Sequence, residues 1–105
     1  MTTDENTGEI ISLKEAIDFT HGFQNQNPES LKSFFVGLEK LKKIFEQEKC
    51  IGMRIYKGYD ASTKKTNLVL VGVNQSGKDM VDGVILERLA PCPPDCPDSS
   101  PLMNL

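Results

Sequence analysis

The feature that most limits how this chain can fold is a change of hydrophobic period at Gly52. Before it, apolar residues recur every three or four positions. After it they alternate, with Met53 and Ile55 set against Arg54 and Tyr56. The first period belongs to helices and the second to strands, so a helical first half and a β second half are expected. No helix-length segment separates the apolar runs after Gly52. Parallel strands need such crossovers, so the strands are expected to be antiparallel and the fold class α+β.

Start and stop signals divide each half. Ser12 reads as an N-cap, with Glu15 three residues on, the spacing of a capping box. Leu13, Ala16, Ile17, Thr20 and Phe23 follow at helical spacing, so a first helix is predicted over 13–24, ended by Asn25-Gln26-Asn27. Asn27 before Pro28 is a second start signal. Leu31, Phe34, Phe35, Leu38, Leu41 and Phe45 then form an apolar stripe that predicts a helix over 28–48. Gly37 falls inside that helix, at a cost of about 1 kcal/mol against alanine. Strands are predicted over 51–59, 66–74 and 83–89, with turn-rich Ala61–Lys65, Asn74–Asp79 and Asp82-Gly83 between them. The predicted architecture is two N-terminal helices packed on a three-stranded antiparallel meander, a two-layer sandwich. With 105 residues the chain suits one domain, able to fold without staples. Residues 1–11 are expected to be disordered and 12–90 to form the domain. Residues 91–105 are expected to form a Pro/Cys-rich tail, since they hold five of the six prolines.

Charge narrows the function. The net charge is −3, and the best basic cluster, Lys40, Lys42, Lys43 and Lys49, lies near a predicted helix C-terminus, where cations suit the dipole. A nucleic-acid binder needs a denser basic surface, so no nucleic-acid partner is expected. No apolar run approaches a membrane span, so no membrane partner is expected. Nor does a basic segment precede an apolar one at the start, as in a signal peptide. A cytoplasmic location follows as the expectation, with reduced cysteines.

The middle strand is unusual. Leu68 and Leu70 would lie on one face and Val69, Val71 and Val73 on the other, with Arg54 and Tyr56 of the preceding strand on that second face. Antiparallel sheets usually present one polar face, and here neither is polar. Helices can cover one. The second is expected to be covered by Leu102, Met103 and Leu105 of the tail, or by another protein, most simply a second copy. Arg54, Tyr56, Val69, Val71 and Val73 are therefore the candidate interface residues, and Val71→Lys is expected to disrupt assembly more than folding.

Chemistry-bearing patterns are few. Cys92 and Cys96 sit in Pro91-Cys92-Pro93-Pro94-Asp95-Cys96-Pro97, where prolines hold the thiols near one another. They admit a zinc site, with Cys50 and His21 as further ligands to make up the roughly four that zinc needs. They also admit a disulfide or redox pair, or two plain thiols. Zinc is the one cofactor the pattern admits. Gly72-Val73-Asn74-Gln75-Ser76-Gly77-Lys78 matches the spacing of a phosphate-binding loop. However, Asp79 stands where a magnesium-binding hydroxyl is required, so a tight turn with Gly77 at positive φ is expected instead. His21, the single histidine, has no nucleophile or orienting acid at a suggestive spacing, and no catalytic residue is nominated. The sequon Asn74-Gln75-Ser76 matters only for a secreted chain.

Three segments together resemble an uncharacterised family of small bacterial proteins. They are Gly52-Met53-Arg54-Ile55-Tyr56-Lys57-Gly58, then Leu68-Val69-Leu70-Val71-Gly72-Val73, then the ending from Glu87-Arg88 to Pro91-Cys92-Pro93-Pro94-Asp95-Cys96. The similarity spans about residues 12–96. It implies a bacterial cytoplasmic source and a Pro/Cys ending that belongs to the domain, and it brings no activity. The expected function is a non-enzymatic interaction or structural module that self-associates through its second sheet face. The alternative is a thiol-redox or zinc-binding protein using Cys92 and Cys96, and the third a small enzyme.

Overall fold

The structure, a computed structural model, describes residues 3–104. Its elements are α1 (Leu13–Gln26), β1 (Ser33–Phe35), α2 (Leu38–Phe45), β2 (Cys50–Asp60), β3 (Lys65–Asn74), β4 (Ile85–Leu86) and β5 (Ala90–Cys92). The class is α+β with two helices. β2, β3 and β4 form an antiparallel sheet in chain order, the expected meander, and β1 and β5 form a separate two-stranded sheet. The chain divides into two units. One comprises Phe34–Ala90 with the N-terminal segment through Thr7; the other comprises Gly8–Ser33 with the segment from Pro91 onward. Among the described residues no helix is long and apolar enough to cross a membrane.

The first unit is built on the β2–β3 hairpin. Asp60 makes its turn by accepting from the Ser62 amide (2.9 Å) and hydroxyl (2.7 Å), while Lys64, at φ 60°, returns its N–H to the Asp60 carbonyl. Those Ser62 bonds, the hydroxyl's first, hold the Asp60 carboxyl below its usual range. In register, Met53 opposes Gly72, Arg54 opposes Val71, Ile55 opposes Leu70 and Tyr56 opposes Val69. Opposed residues share a face, so the expected division of strand 2 into a leucine face and a valine face holds.

The helix that covers the leucine face is shorter than the sequence pattern suggests. Residues 28–36 are not helical, and α2 starts only at Leu38. Gly37 is its N-cap (φ −71°, ψ 147°), and the amides of Lys40 and Leu41 bond back to the Gly37 carbonyl. The glycine that would weaken a long helix interior thus begins a short one, and Phe34-Phe35-Val36, aromatic and β-branched, favour extended backbone. The shift also changes the buried stripe. Ile44 is fully buried, whereas Leu38 and Phe45 are exposed.

α2 packs against β2 and β3, and Gln47 locks it there. Gln47 Nε2 donates to the Ile44 carbonyl (3.0 Å) and Oε1 accepts from the Val84 amide (2.8 Å). Two glycines make room for this amide. A Cβ on Gly72 would lie 2.8 Å from Gln47 Nε2, and one on Gly83 would collide with Gln47 Oε1.

In the second unit, Ser12 caps α1 as expected, its hydroxyl accepting from the Glu15 amide at 3.1 Å. Asn27 closes the other end, both its amides donating to the Phe23 carbonyl. The tail lies along α1. Gln24, buried, donates to the Leu102 carbonyl (3.1 Å) and accepts from the Asn104 amide (2.7 Å), and His21 Nε2 donates to the Pro101 carbonyl (2.9 Å).

Candidate functional site

The valine face of the sheet carries the five residues singled out from the sequence. Arg54, Val71 and Ile85 form one row across β2, β3 and β4, and Tyr56 and Val69 form the next. Val73 pairs with Gly52 on one side and with Asp79 on the other. Asp79 therefore points to this face, and its carboxylate accepts from both the Arg54 guanidinium and the Tyr56 hydroxyl. The three side chains close over Val71, which is 3% exposed. The Tyr56 hydroxyl, aided by Arg54, holds the Asp79 carboxyl below its usual range. The same hydrogen bond raises the Tyr56 phenol above its own.

Within the sheet's own unit the cover over this face is partial. Thr3, Asp4, Glu5 and Thr7 line a cavity of about 390 Å³ with residues 51–55 and Val73, so the N-terminal segment lies beside the first half of β2 and shelters the Val73 end. Within that segment Asp4 takes the Asn6 amide on its carboxylate and the Thr7 amide on its carbonyl. Leu102 and Met103 belong to the segment laid along α1, and Leu105 lies outside the described residues. Val71 and Val73 are thus core residues. Val71→Lys would bury a lone charge, a large unfolding cost, so the expectation that it would disrupt assembly more than folding is corrected. What stays open is Tyr56 (46% exposed), half-buried Val69 and Ile85 (50% exposed). Ile85 was missing from the sequence-derived set. It enters the face by its register with Val71, which no local pattern reveals.

The loop resembling a phosphate cradle is occupied by its own backbone. Asn74 Oδ1 accepts from the Ser76 amide (2.9 Å) and the Lys78 amide (3.1 Å), and the Gly77 amide donates to the Asn74 carbonyl. Gly77 sits at φ 79°, as a tight turn requires. The Ser76, Gly77 and Lys78 N–H groups are thus already paired within the loop, and the next residue, Asp79, is committed to Arg54 and Tyr56.

Cys92 and Cys96 are joined as a disulfide across a Cα separation of 4.8 Å. Cys92 is fully buried and Cys96 exposed. The loop is tightened by the Asp95 amide donating to the Pro91 carbonyl and the Cys96 amide to the Pro94 carbonyl, and the Cys92 carbonyl accepts from the Lys32 amide at 2.7 Å. Cys50 is a free thiol whose Sγ donates to the Gly52 carbonyl. Among the described residues no three His, Cys, Asp or Glu side chains gather as a metal site would need. His21 is engaged by the Pro101 carbonyl.

No family model, curated protein or solved structure matches this chain.

Proposed function

We propose that this chain is a non-enzymatic interaction module that self-associates through the valine face of its sheet. The observation that carries this reading is the apolar surface left around Val71: Tyr56, Val69 and Ile85, contiguous across three strands, with polar cover only where Asp79 reaches Arg54 and Tyr56. Of the large apolar side chains exposed among the described residues, Tyr56 and Ile85 lie on this face, and exposed apolar surface of this kind marks interaction sites. Tyr and Arg, enriched at interface centres, border the patch. A second copy is the simplest occupant, because a face of this kind is matched by itself across a twofold axis. Light scattering on the full chain tests the reading. The expected result is a mass that is a multiple of 11.7 kDa, lowered by Ile85→Lys with an unchanged circular dichroism spectrum. A wild-type monomer over a wide concentration range would refute it.

A second reading is favoured by the Cys92–Cys96 pair, in which one sulfur is buried and the other presented. In a thiol–disulfide role, a partner dithiol attacks exposed Cys96 and the Cys92–Cys96 bond breaks, with Cys92 leaving as the thiolate. The partner's second thiol then attacks the mixed disulfide and releases Cys96, so the partner is oxidised as the pair is reduced. Resistance of the bridge to an excess of a reduced thioredoxin-like dithiol would refute this role.

A further inference from the structure

We infer that the acidic flank of Cys96 selects the thiol that opens the Cys92–Cys96 bridge, and that the partner is a dithiol protein with a basic rim. The inference rests on the thiol–disulfide reading and adds the partner's chemistry to it. Exchange begins when a thiolate reaches one sulfur of the bridge. Cys92 is fully buried, which leaves exposed Cys96 as the point of entry. Cys96 stands between two acids in Asp95-Cys96-Pro97-Asp98. Chain geometry alone keeps their Cα atoms within about 7 Å of that of Cys96. The Asp95 amide is tied to the Pro91 carbonyl and the Cys96 amide to the Pro94 carbonyl, so the ring holds this arrangement. Both aspartates are exposed, and neither enters an ion pair among the described residues. One lysine adjoins the ring: the Lys32 amide donates to the Cys92 carbonyl, and its ammonium is held by the Pro28 and Ser30 carbonyls. Across the unit six acidic residues stand against Lys14 and Lys32, so the field at Cys96 is negative.

The entering group brings negative charge into that field. Its thiolate bonds to Cys96 Sγ, the Cys92–Cys96 bond breaks, and Cys92 leaves as a thiolate that takes a proton from water. A second thiol then attacks the mixed disulfide and releases Cys96, so two thiols are oxidised to a disulfide as the bridge is reduced. The thiolate of cysteamine, balanced by its own ammonium, has no net charge. Mercaptoethanol thiolate carries a single negative charge, and mercaptopropionate adds a carboxylate to it. At a separation of about 8 Å in water and low salt, two carboxylates slow entry about fourfold for each negative charge on the attacker. At about 1 M salt the screening length falls to about 3 Å and the effect vanishes. A dithiol bordered by lysines therefore enters most easily, and a small anionic thiol is held back.

Rates of opening read this selection. The full chain, in a Cys50→Ser background that removes the free thiol, is treated with cysteamine, mercaptoethanol or mercaptopropionate. Opening is timed by alkylation and mass spectrometry, and each rate is expressed per thiolate. In about 10 mM salt, Asp95→Asn/Asp98→Asn is expected to leave the cysteamine rate unchanged, to raise that of mercaptoethanol about fourfold and to raise that of mercaptopropionate more than tenfold. Raising the salt to about 1 M should produce the same order without any substitution at the aspartates, which keeps the test open if the double variant does not fold. Two dithiol peptides extend the order to the partner: one flanked by lysines is expected to open the bridge faster than one flanked by glutamates. Equal acceleration of all three thiols, or of none, would overturn the inference and leave the thiol–disulfide role standing. Equal rates with the two peptides would do the same. A bridge that none of these reagents opens would overturn both.

Discussion

Replacing Gly83 by alanine should have opposite effects depending on whether Gln47 is present. With Gln47 in place, the new Cβ collides with Gln47 Oε1. A flexible side chain would simply swing away, but this one is held at both ends by the Ile44 carbonyl and the Val84 amide. Moving it forfeits two partly buried hydrogen bonds, each worth about 1 kcal/mol, so Gly83→Ala should destabilise the protein by about 2 kcal/mol. Gln47→Ala should cost about the same, by losing the same bonds. In the Gln47→Ala background the obstacle is gone. Gly83 does not occupy the left-handed region, so alanine fits its backbone and restricts the unfolded chain, for a gain of about 0.5 kcal/mol. The coupling between the two sites is then about 2.5 kcal/mol, well above the error of a double-mutant cycle. Urea unfolding followed by far-ultraviolet circular dichroism reads it. With a slope of about 2 kcal/mol/M, Gly83→Ala should lower the midpoint by about 1 M in the wild type and raise it slightly without Gln47. An equal cost in both backgrounds would refute the assignment of Gln47 as the lock between α2 and the sheet.

The remaining predictions concern the clamp, the bridge and the tail. The Asp79 carboxyl is depressed in the folded state by the Tyr56 hydroxyl and then Arg54. Its stabilisation is therefore present above the ordinary carboxylate range and is lost as pH falls through the depressed value; Asp79→Asn should flatten the acid limb of a Tm–pH curve, and an unchanged limb would count against the clamp. Ultraviolet titration should show Tyr56 ionising above the normal tyrosine range, returning toward it in Asp79→Asn, since the bond to Asp79 is the main cause of its rise. The Cys92–Cys96 ring, closed over a sequence separation of only four, should contribute about 2 kcal/mol by the loop-entropy relation. Reduction or Cys96→Ser should therefore raise amide exchange in α1 and the tail, and unaltered exchange would refute a stapling role. Gln24→Ala should expose the Asn104 amide to fast exchange, because that N–H donates to Gln24 Oε1; continued protection would show that other contacts hold the tail.

What was legible in the sequence was local. Ser12 announced the start of α1, and the hairpin strands appear within a residue or two of the predicted bounds, because alternation and turn chemistry act over a few residues. The second helix was overdrawn because Leu31, Phe34 and Phe35 happen to extend the spacing of Leu38 and Leu41. Gly37 and the extended preference of the aromatic run decide against that extension. Likewise 83–89 shrinks to Ile85–Leu86, since Arg88 adopts φ 67° and leaves the extended region. The five face residues could be named from period alone, but their fates could not. Whether Val71 is open or covered depends on Asp79, eight residues on, returning beside Val73, a matter of turn geometry. The role of Gln47 was invisible for the same reason: its acceptor site meets the Val84 amide thirty-seven residues later.

The tail bonded to α1 has a consequence for how the chain is made. His21 and Gln24 meet partners 78 to 80 positions downstream, whereas α2 and the three sheet strands all lie within Phe34–Ala90. On the ribosome the middle of the chain can fold as soon as it emerges, the usual habit of compact units. α1, synthesised first, must wait for Asn104 before its polar side is closed. During that interval the helix presents Phe19 and Phe23, exposed even in the finished structure, together with an unpaired Gln24.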